Sequence, residues 1–116
     1  MTNKTYNTNK QIPPERWEEF CDSFTLANQD RLISIEVVGF DIGDQKLANM
    51  VPFSAIDFDT PDKGNTFIIS YGTEAPLMSH TVSEPAELWL TQDEFESVSA
   101  MEIVDLKDRK TIIMFE

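Results

Sequence analysis

The chain predicts an α+β fold: one N-terminal helix packed on a curved, mostly antiparallel sheet of about six or seven strands. Three observations predict it. One segment alone, Ile12–Phe24, carries apolar residues at helical spacing. Almost everything after it alternates apolar and polar residues between turn signals. The 116 residues, 41% of them hydrophobic, fit one core, since a chain of this size buries roughly two thirds of its unfolded surface. A closed or half-open barrel-like sheet, plugged on one side by the helix, is the first expectation. A two-sheet sandwich is the second.

Met1–Gln11 is polar and rich in Asn and Thr, so residues 1–11 read as a flexible tail with Tyr6 as its one anchor. Residues 12–116 read as a single α+β domain. Pro13 and Pro14 open the helix, where a missing N–H has no partner to lose, and Glu15, Glu18 and Glu19 suit the positive end of its dipole. Trp17, Phe20, Cys21 and Phe24 form one stripe facing a core, and the helix should end near Asn28. Arg31–Val38 alternates as a strand, and Gly39–Asp44 is a turn. Gln45–Phe58 is too long for one uninterrupted strand, and Pro52, lacking a ladder donor, predicts an edge or a break. Asp59–Asn65 is a loop, Thr66–Tyr71 a strand, and Gly72–Pro76 a turn. Met78, His80 and Val82 alternate on a short strand. On Ala86–Leu90, Leu88 and Leu90 share one face and Trp89 takes the other. Thr91–Glu94 has the form of a capping box opening a helical turn. Val98–Leu106 and Lys110–Phe115 close the chain as a hairpin around Lys107-Asp108-Arg109.

The net charge is −12, from 21 acidic and 9 basic residues, and no Lys or Arg lies between Lys63 and Lys107. Clustered cations are what phosphate binding needs, so nucleic acid is not an expected partner, nor is an anionic membrane surface. A basic protein partner suits the charge, although solubility alone also explains such acidity. The lone Cys21 excludes an internal disulfide. No apolar run approaches a membrane span, and the N-terminal residues carry lysines without the apolar stretch of a secretory signal, so the cytoplasm is the expected location.

Several short segments are similar to the small bacterial family catalogued as domain of unknown function family 5335. They are Ile12-Pro13 with Trp17 and Phe20, Ile35-Glu36-Val37, Gly43-Asp44-Gln45, and Pro52-Phe53 with Ile56-Asp57-Phe58-Asp59. The spaced pair His80 and Pro85 follows, then Ile103–Asp105 leading to Thr111-Ile112-Ile113. Order and spacing carry the resemblance, which covers nearly the whole chain after the tail. The final turn departs from it, because Arg109 follows Asp108 where the family pattern has Asp-Gly. A two-residue turn with positive φ at both positions is then costly, so a longer loop is expected. The resemblance implies a single-domain protein and brings no activity, cofactor or catalytic residue.

His80 is the only histidine. Its neighbour Ser79 points to the opposite face of a strand, so a structural, hydrogen-bonded ring is favoured over a catalytic one. Cys21, on the apolar stripe beside Glu18, Glu19 and Asp22, reads as a small core hydrophobe with poor reactivity. Asp57, Asp59 and Asp62 superficially suggest a calcium loop. Counting from Asp57, the sixth position is Asp62 and the twelfth Ile68, so the Gly and Glu that such a loop needs are missing. Carboxylate pairs such as Glu84 with Glu87 or Glu94 with Glu96 are expected by chance in so acidic a chain. No phosphate-binding glycine loop exists. No cofactor, metal or catalytic residue is therefore assigned.

The binding residues expected are His80, Glu84, Glu87 and Trp89, the last as an aromatic anchor in an acidic patch with Glu84, Glu87 and Glu96. The leading function is a non-enzymatic protein-interaction or regulatory module presenting an acidic face to a basic protein. The alternative is a small-molecule-binding domain or hydrolase with His80 as its polar centre. A homodimer through a sheet edge fits either.

Overall fold

In a computed structural model of the chain, residues 7–116 are described. Strand β1 (Thr8–Ile12) leads through a single 3₁₀ turn, Pro14–Arg16, into helix α1 (Trp17–Asn28). Seven further strands follow: β2 (Leu32–Gly39), β3 (Gly43–Asp59), β4 (Thr66–Tyr71), β5 (Met78–Ser83), β6 (Pro85–Gln92), β7 (Val98–Asp105) and β8 (Lys110–Phe115). They form one sheet in the order β1-β6-β7-β8-β2-β3-β4-β5, and every pairing is antiparallel.

Eight strands correct the expected six or seven, and the sheet is not a closed barrel, because β1 and β5 remain its two ends. The additional strand is β1. Its first four residues are exposed and only Ile12 is buried, so pairing of its main chain with Thr8↔Gln92 through Ile12↔Leu88 holds it. Its first four residues, Thr8–Gln11, fall in the segment expected as tail; Tyr6, the expected anchor, lies outside the described residues.

The 17-residue β3 runs unbroken through Pro52. Its partner changes there: it pairs with β2 as far as Leu32↔Pro52 and with β4 from Phe53↔Tyr71. Met50, with φ of 54°, and a register shift in the β2 pairing mark a bulge, a place where a proline without a donor is tolerated. The expected break is thus a change of partner within one strand. Beyond it, β3–β5 turn over the remaining strands, so that β5 lies against β7 and β8.

The core is a single cluster between these layers, closed at one end by α1. Trp17, Cys21 and Phe24 are buried as the helical stripe predicts, and Phe20 is partly buried. The Trp17 ring stands edge-on to Phe58 at 5.2 Å and near Phe67 at 5.0 Å, while Phe24 meets Phe53 and Phe115 at 5.8 and 5.4 Å. Full burial of each such side chain contributes ~1.5–3 kcal/mol. Trp17 Nε1 donates to the Ile12 carbonyl at 2.8 Å, tying the helix start to the end of β1. Thr25 Oγ1 serves β3, accepting from the Ile56 N–H at 3.0 Å and donating to the Ile56 carbonyl at 3.1 Å. The helix therefore covers both rings and strand backbone.

Both ends of β7 turn on the same device. Asp93 Oδ1 accepts the N–H groups of Phe95 and Ser97, and Asp105 Oδ1 accepts those of Lys107 and Arg109. Glu96 and Asp108 take the left-handed position, with φ of 64° and 60°. The first of these is the segment expected to open a helical turn; Thr91 and Gln92 instead complete β6, and Asp93, not Thr91, does the capping. The second is the longer loop that Asp108-Arg109 called for.

Candidate binding cleft

Where β5 turns over the sheet, at the end opposite α1, it leaves a cleft of about 320 Å³. Alternation places His80 and Val82 of β5 towards the sheet interior, where Val82 is buried and His80 half-buried. Thr111 and Val37 meet them from β8 and β2, and Leu47 and Ile42 add apolar wall from the β2–β3 hairpin. Leu106, Lys107 and Arg109 stand at the rim on the β7–β8 turn.

His80 Nε2 lies 3.4 Å from Thr111 Oγ1, a long contact, and the ring makes no other hydrogen bond among the described residues. Burial lowers its pKa from the ordinary histidine value, so the ring is neutral at pH 7 and offers one donor and one acceptor. Thr111 is itself buried, the one polar residue on the core side of β8. The two rim turns are clipped together by Arg109, whose Nη2 meets Asp41 Oδ2 at 2.5 Å. The guanidinium bond holds the Asp41 carboxyl below its usual range, and the carboxylate raises the Arg109 pKa in turn. A Cβ at Gly39 would stand 3.0 Å from Arg109 Cγ, close enough that the Arg109 side chain would have to shift. Lys107 forms no ion pair among the described residues.

The structure divides the expected binding residues into two groups. His80 and Glu84 line the cleft. Glu87 and Trp89 project from the other face of β6, because Leu88 and Leu90 take the buried positions between and beyond them. There Trp89 is half-buried, donates through Nε1 to Glu87 Oε1 at 2.8 Å, and sits opposite Glu102 of β7. The anticipated patch of Trp89 with Glu84, Glu87 and Glu96 is therefore not assembled: Glu84 belongs to the cleft and Glu96 to the far turn of β7.

Sequence reading missed Thr111, Val37, Leu47 and Lys107. One signal for the first was present, a threonine in phase with buried Ile113 and Phe115. The other three are joined to His80 only by the way β3–β5 fold over.

Cys21 contributes no chemistry here. Burial, then the nearby charges of Asp57, Asp22 and Glu18, push its thiol up to about 12, and a protonated, enclosed thiol is a poor nucleophile. No cluster of three or more His, Cys, Asp or Glu residues suited to a metal occurs among the described residues. Among the same residues, no helix is long and apolar enough to cross a membrane.

Comparison with known proteins adds a family. A relative from Aquifex aeolicus (strain VF5), described as an uncharacterized protein, is 26% identical over 104 residues, covering 90% of this chain and 88% of the relative. No solved structure matches the chain. The model of the family of unknown function DUF5335 matches residues 8–116, from the first residue of β1 onward. The chain belongs to that family.

Proposed function

We propose that this chain is a protein-interaction module and that it engages its partner at the His80 cleft. One observation carries the reading: four successive residues of an end strand, His80, Thr81, Val82 and Ser83, border the cleft together with apolar side chains from two turns. Both main chain and apolar surface are thus offered at one place. The net charge of −12 favours a basic partner, whose approach it accelerates through long-range attraction.

Site-specific photocrosslinking in the native cell tests the reading. A photoreactive residue at Ser83, on the cleft, should give a discrete protein adduct, and one at Glu102, on the opposite face, should not. Adducts from Glu102 alone would move the site to the Trp89 face and defeat the proposal.

A second reading has its own support in the half-buried neutral His80 and in a volume at the lower limit of small-ligand sites, about 300 Å³. A metabolite that raises the melting temperature of the native chain but not of His80→Ala would establish it.

A further inference from the structure

We propose that the cleft accepts an extended, uncharged segment of a basic partner protein as an added strand on the free edge of β5. This deepens the interaction reading above and rests on it. Natural sheets blunt their end strands with charges, prolines, bulges or shortness. The β1 edge follows that practice by carrying Lys10. The β5 edge does not. Its six residues, Met-Ser-His-Thr-Val-Ser, include no proline and no Asp, Glu, Lys or Arg. They keep unbroken register with β4 from Thr66↔Ser83 to Tyr71↔Met78, without a bulge. On its other side β5 has no strand partner among the described residues.

The cleft tells what kind of strand this edge suits. Because His80, Thr81, Val82 and Ser83 all border it, it runs beside the strand and is not confined to one face. A chain added there, about 4.8 Å away, finds its main-chain partners on β5. Its alternate side chains meet Val37, Leu47 and Thr111, which select apolar or small residues by the usual logic of strand addition. At the cleft Arg109 is paired with Asp41, Asp105 caps its own turn, and Lys107 offsets Glu84, so the walls are near charge balance and suit an uncharged strand. Beyond the cleft the body carries −12, so basic residues belong on the flanks of the segment. The same charge opposes a second copy of this chain, which would bring another −12 to the edge.

Selection of a displayed library of random twelve-residue peptides on the purified chain supplies the probe. The expected winners alternate apolar and small residues over about six positions and carry Lys or Arg outside them. With a selected peptide bound, amides within Met78–Ser83 should exchange more slowly. N-methylation of alternate peptide amides, or Thr81→Lys on the exposed edge, should weaken binding at least tenfold, whereas Glu102→Ala leaves it unchanged. Swapping the basic flanks for Glu should weaken it by a similar factor at low salt, with the difference shrinking as salt rises. The proposal is overturned by winners that leave the β5 amides unprotected, by a selection with no winners, or by β5 amides that become protected with protein concentration alone. Those results leave the crosslinking test at Ser83 free to succeed, so failure of strand addition is distinguishable from failure of the cleft as an interaction site.

Discussion

The two ends of the molecule use the same sheet in opposite ways. At the α1 end, rings from the helix and from β3, β4 and β8 fill the interior, and Thr25 satisfies the backbone of β3. At the β5 end, the interior narrows to His80, Thr111 and Val37, and the outer edge of β5 has no strand partner among the described residues. Buried apolar contacts are concentrated at the first end, and the proposed binding belongs to the second, because a surface can offer apolar groups and main chain to a partner only where the fold has not consumed them. The same −12 charge surrounds both; what separates them is coverage.

The largest expected effect is at the filled end. Phe53→Ala removes a fully buried ring in contact with Phe24 and Phe115 and should cost about 3–5 kcal/mol in urea denaturation. Leu47→Ala, at the cleft where Leu47 is exposed, should stay within about 0.5 kcal/mol of the parent, as most surface substitutions do. Equal losses would erase the distinction between the ends. Next in size is Thr25→Val, which preserves shape but strands the Ile56 N–H and carbonyl; a loss of about 1–3 kcal/mol is expected, with faster exchange of the Ile56 amide. An unchanged exchange rate would mean that the helix does not cover that backbone.

The smallest effect belongs to His80 and depends on pH. Burial lowers its folded pKa, so on acidification the unfolded chain takes up the proton first. The stability contributed by the neutral ring is complete above the ordinary histidine pKa of about 6.5 and is lost as pH falls through the lowered folded value. Between about pH 7.5 and about pH 5 the parent should therefore lose stability relative to His80→Gln, read as a change in the gap between their urea midpoints. Parallel pH profiles would show that the ring is not desolvated, and the cleft would then be more open than its walls indicate.

The filled end was legible in the sequence and the open end was not, for a physical reason. Trp17, Cys21 and Phe24 repeat at the period of a helix, and Pro13-Pro14 mark its start, so one short window holds the whole signal. Alternation likewise located β4, β7 and β8 almost to the residue. By contrast, β1 is held by its main chain with polar side chains outward, and main-chain pairing leaves no mark in composition. The cleft depends on contacts such as His80 with Thr111 that exist only after β3–β5 fold over. Separating Glu87 and Trp89 from His80 required knowing which face of β6 is buried; alternation narrowed that to two choices and left them open.

One further consequence follows from β3 serving both layers. Side chains change sides at every residue of a strand, so adding or deleting a single position between Val51 and Phe53 would turn Phe53 and Ile56 outward while leaving the pairing with β2 intact from Ile33↔Val51 to the hairpin tip. The hairpin tips can lengthen or shorten over generations without that penalty. Heritable changes of length should therefore accumulate at the tip around the exposed Phe95, which lies outside the cleft, and be purged from the middle of this one shared strand.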